Sequence, residues 1–159
     1  MQEIIIPDDG LIYKTSDGKP VLQISFVNDA ALFTLFSKNE NSKILLLCHD
    51  SESGIFIGNG QKSIAVTVNL AQNEIRFTNE NGKVTHLIYT TEDGGQIDLA
   101  DDDGNSLISM GVNSKEKGSS FHIRNKKGES VVTIMNDKGS GGIVLLDKNG
   151  EPFWSIADE

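Results

Sequence analysis

Gly95-Gln-Ile-Asp-Leu-Ala-Asp-Asp-Asp-Gly104, Ser119-Ser-Phe-His-Ile-Arg-Asn-Lys-Lys-Gly128 and Gly141-Gly-Ile-Val-Leu-Leu-Asp-Lys-Asn-Gly150 share one plan. Two alternating apolar residues precede Asp/Asn-X-X-Gly, and a second alternating apolar pair follows. Alternation with period two marks a strand with two unlike faces, and an Asp or Asn followed by glycine supplies the side-chain cap and the positive-φ residue of a tight turn. Each stretch reads as the first half of a β-hairpin.

Carried backwards along the 159 residues, the plan places the first apolar residue of successive units at Leu11, Phe33, Ile55, Ile75, Ile97, Phe121 and Ile143. The spacings are 22, 22, 20, 22, 24 and 22, all even. Parity matters because an odd insertion would turn the next strand inside out. The chain is thus a tandem array of seven hairpins of about 22 residues, read as a single hairpin-repeat domain over residues 1–159. Asn79-Glu-Asn-Gly82 repeats the turn chemistry, Gly58-Asn-Gly60 signals a tighter turn, and Glu40 stands where the second unit should have glycine.

Two apolar positions per strand over fourteen strands give 28 positions on one face, of which only His86 is polar. The interleaved positions are about half polar. A sheet with one such face must cover it. Trefoils need six hairpins and propeller blades usually four strands, so seven hairpins fit neither. The expected fold class is all-β, an antiparallel meander or hairpin solenoid with no significant helix, closed by homo-oligomerisation, with a trimer as one arrangement.

The unit Gly-apolar-X-apolar-X-Asp-X-X-Gly, seen over residues 95 to 157, resembles hairpin repeats of uncharacterised bacterial proteins and of phage tail-fibre-like proteins. That resemblance implies a structural shaft or a surface-interaction module.

Composition excludes several other classes. A net charge of −9 opposes binding to a phosphate backbone, so nucleic acid is not an expected partner. The longest apolar run, Ile44 to Cys48, falls far short of the roughly 20 residues of a spanning helix, and no membrane insertion is expected. The first residues lack the basic and long apolar regions of a secretory signal.

No stretch carries catalytic or cofactor chemistry, and the chain is read as a non-enzyme without cofactor. Asp101-Asp-Asp-Gly104 resembles the start of a calcium loop, but Leu99 and Met110 would occupy its end positions and neither can ligate. Cys48-His49-Asp50 cannot act as a triad, because consecutive strand residues point to opposite faces. Cys48 is expected as a buried thiol, and His122 as a solvated residue of the mixed face. No spacing suggests a metal site.

Three residues are singled out for the assembly. His86 interrupts the apolar face, so in a trimer three copies would surround an anion or metal; the plainer reading is a hydrogen-bonded histidine. Trp154 and Phe153 mark the last hairpin, with Trp154 expected to pack or cap the array. The expected function is that of a structural or interaction module acting by self-assembly, as part of a fibre, shaft or larger protein assembly. The alternative is a β domain binding a cell-surface glycan or receptor.

Overall fold

The computed structural model describes residues 6–70, 72–113, 118–137 and 140–157. Fourteen strands follow one another: β1 (Leu11–Lys14), β2 (Pro20–Val27), β3 (Ala30–Phe36), β4 (Lys43–Cys48), β5 (Glu52–Gly58), β6 (Ser63–Asn69) and β7 (Asn73–Thr78). They continue as β8 (Val84–Thr91), β9 (Gly94–Ala100), β10 (Ser106–Asn113), β11 (Gly118–Arg124), β12 (Ser130–Asp137), β13 (Ser140–Leu146) and β14 (Pro152–Ala157). The fold is all-β, and no helix occurs among the described residues.

Every strand pairs antiparallel with its sequence neighbours, in the spatial order β1 to β14 without a crossover. Substantial contacts between elements are also confined to consecutive strands. Among the described residues the result is one open layer whose edges are β1 and β14. At about 4.8 Å per strand it is roughly 65 Å across if flat.

Local chemistry explains the repeated turns. Asp147 accepts the N–H groups of Asn149 and Glu151 on Oδ1, at 2.8 and 3.0 Å, while Gly150 sits at φ 82°. Asp101, Asn125 and Asn79 hold their turns in the same way, through N–H donors two and four residues on. These hairpins, together with the one between β1 and β2, carry a register shift beside the turn. Such a bulge absorbs the odd residue of the loop and restores a common face.

Two turns depart from this plan, as their sequences do. Between β5 and β6 the loop contracts, with the Asn59 N–H bonded to the Lys62 carbonyl at 3.1 Å and no register shift. Between β3 and β4 a wider loop is closed from Ser37 to Ser42, and Glu40 takes the left-handed conformation at φ 61°. The missing glycine therefore leaves the turn formed but strained.

Candidate assembly surface

Strand pairing aligns the apolar positions into two rows that cross the whole sheet. The first runs Leu11, Ile24, Phe33, Leu46, Ile55, Val66, Ile75, Ile88, Ile97, Met110, Phe121, Ile134, Ile143 and Ile156, each paired to the next. The second begins at Tyr13 and Leu22, passes Phe77, His86 and Leu99, and ends at Leu145 and Trp154. None of the 28 positions is buried within the chain. A single layer leaves even perfectly aligned isoleucines half open, because strand neighbours shield only their flanks.

The buried side chains lie instead on the mixed face. Thr34, Ala65, Ser109 and Thr133 are small residues in one row, each between larger cross-strand neighbours such as Phe56 and Arg76 around Ala65. A polar lattice accompanies them. Arg124 Nη1 donates to Ser109 Oγ at 2.8 Å, Gln96 Nε2 donates to Asp98 Oδ2 at 2.9 Å, and Arg76 pairs with Glu74 at 2.8 Å. His122 Nδ1 lies 3.1 Å from Thr133 Oγ1, and partial burial together with Arg124 lowers its pKa. His122 is thus half-buried, contrary to the expectation of a solvated side chain, because the lattice closes around it.

The residues singled out from the sequence do not converge on one point. His86 is exposed on the apolar face, edge-on to the Phe77 ring at 5.5 Å between centroids, with Nδ1 3.1 Å from Thr85 Oγ1. Trp154 and Phe153 stand on the free edge strand and are 47% and 66% exposed, so Trp154 does not pack within the chain. Among the described residues no further strand pairs with β14 to receive it. Cys48 shares the apolar face, beside Ala31 and Ser53, and is exposed rather than buried, since no second layer covers its strand. His49 Nδ1 meets Ser51 Oγ at 2.7 Å in the following turn, away from any relay with Cys48.

Asp101, Asp102 and Asp103 lie in a hairpin turn in which the Asp101 carboxylate is occupied by its own backbone and by Asn105. Those hydrogen bonds lower the Asp101 pKa, and the equivalent backbone bonds lower that of Asp147. Among the described residues no group of three or more His, Cys, Asp or Glu side chains could hold a metal ion. One open concavity of about 730 Å³ indents the turn edge where the short third turn sits back, between Leu35, Ile44, Ile57, Ile64 and Phe77. It is continuous with the second apolar row.

The sequence reading missed the polar lattice and the two open edges. The lattice had a signal in the same-face pairs Glu74/Arg76 and Gln96/Asp98, two residues apart on one strand. No protein-family model matches the chain, and no curated protein matches it.

Proposed function

We propose that the protein is a structural or interaction module that works by self-assembly, as a component of a fibre, shaft or larger protein assembly. The observation that carries this reading is the pair of apolar rows, interrupted only at His86, lying open along all fourteen strands. The chain exposes 11389 Å². A compact chain of 17.3 kDa exposes about 7,800 Å² by size scaling, an excess of roughly 3,600 Å². That excess is the surface of a sheet without a second layer, one side of it carries the two apolar rows, and a second copy offers a surface of matching shape and chemistry. Insertion into a bilayer is not favoured, because strands of four to eight residues are shorter than the roughly 9–11 that cross one.

Charge placed on the apolar face tests the reading. Ile55→Asp and Ile134→Asp, both within the first row, should lower the sedimentation coefficient of the assembly, whereas Asp98→Asn on the mixed face should not. Unchanged sedimentation of both aspartate variants would contradict self-assembly through this face.

The second reading, a glycan- or receptor-binding domain, draws on the polar lattice of the mixed face. Tyr89 lies beside Gln96 there, and its pKa is raised by burial and by the nearby Asp98 carboxylate. Loss of glycan capture in Tyr89→Ala with assembly intact would favour it.

A further inference from the structure

We propose that the two free edges are complementary, so that β14 of one copy pairs with β1 of the next and the meander continues from molecule to molecule. This inference takes its partner, a second copy of the chain, from the self-assembly reading and adds a second, end-to-end surface.

Three independent properties of the edges agree. The first is direction. Strands alternate along the sheet and their number is even, so β14 and β1 run oppositely, and a copy added in line meets β14 antiparallel with its faces matched.

The second is hydrogen-bond phase. The Thr15 N–H donates to Lys19 across the first hairpin, so by strand alternation Tyr13 and Leu11 bond inward and Ile12 directs its N–H and C=O to the free edge. At the other end the Asp147 N–H donates to Glu151, which turns Leu145 and Ile143 toward β14. Their partners Trp154 and Ile156 bond inward, leaving Ser155 and Ala157 to the free edge. Pro152 has no N–H to offer, but it lies at the turn end and costs neither of these positions.

The third is the side-chain register. Pairing Ser155 with Ile12 of the next copy sets the outward groups face to face and places Ala157 opposite Gly10. The same register sets Ile156 opposite Leu11 and Trp154 opposite Tyr13. Both apolar rows then continue across the junction, and the exposed Tyr13 and Trp154, 67% and 47% accessible, become a cross-strand aromatic pair. A β14 to β14 junction with Ser155 opposite Ser155 would instead set Trp154 against Ile156, so that the first row would run into the second and neither would continue in its own line. A head-to-tail junction is heterologous, and copies added in line extend it into a filament.

The test uses edge variants that leave all 28 apolar positions intact. Ile12→Pro and Ser155→Pro each remove one outward donor. Wild-type protein should grow without an upper size as concentration rises, each variant alone should stop at a finite size, and an equimolar mixture should double that size through its one intact junction. Should a proline variant unfold, as circular dichroism would reveal, Ile12→Cys and Ser155→Cys in a Cys48→Ser background replace it. Oxidising their mixture should give covalent dimers that neither gives alone. Wild-type assemblies of the same finite size as the variants, or covalent dimers from Ile12→Cys alone, would overturn the head-to-tail edge. Wild-type protein at 17.3 kDa at every concentration would overturn the self-assembly reading as well.

Discussion

At the scale of single residues, Glu40 is where the chain departs most plainly from its own rule. Equivalent turns elsewhere place glycine at positive φ, as at Gly128 (83°) and Gly150 (82°), whereas Glu40 holds φ 61° with a β-carbon in place. Glu40→Gly should therefore stabilise the fold by roughly 0.5–1 kcal/mol, the left-handed strain relieved being partly offset by added freedom in the unfolded chain. Thermal unfolding would register this as a rise of about 1–4 °C for a chain of this length. The capping carboxylates make a second residue-scale prediction. Asp101 and Asp147 have pKa values lowered by turn hydrogen bonds, so they favour the folded state above the ordinary aspartate range and lose that contribution as pH falls through their folded values. The melting temperature should drop on acidification below about pH 4, and Asp101→Asn with Asp147→Asn, which keep an acceptor at each cap, should flatten that drop. An unaltered acid profile in the double variant would remove the caps from the account.

At the scale of the hairpin, parity is the organising constraint. Deleting Ile97 to Ser120 removes 24 residues and joins Gln96 to Phe121 with every later side chain on its original face. Deleting Ile97 to Ser119 removes 23 and inverts everything that follows. The even deletion should melt within a few degrees of the parent, as expected when repeats contact only their neighbours, and the odd one should lose cooperative unfolding. The hairpins, their faces and the odd third turn were legible in the sequence because turn chemistry and alternation are local properties. Burial was not legible, because it depends on whether a second layer exists. Cys48 and Trp154 sit in apolar patterns yet are open, while Ser109 and Thr133 sit in polar patterns and are closed in by neighbours. Glu40 shows the converse, a local misfit overridden by paired strands on both sides.

At the scale of the whole molecule, the sheet is a surface with two sides and two ends, and each has a distinct chemistry. The polar lattice on the mixed face satisfies its own groups, as in the Arg124 to Ser109 bond, and does not require a partner. The apolar side has no such resolution within one chain. Trp154 and Phe153 at one end and Tyr13 at the other are exposed aromatics on the edge strands. His86, in the middle of the apolar side, stands edge-on to Phe77 and is the one residue of the two rows that is not apolar by type. The most direct measurement of the central claim is the mass of the wild-type protein by light scattering after size exclusion, across a wide concentration range at neutral pH. The account predicts a mass of at least twice 17.3 kDa wherever the β signature is present. A folded species of 17.3 kDa throughout would contradict it.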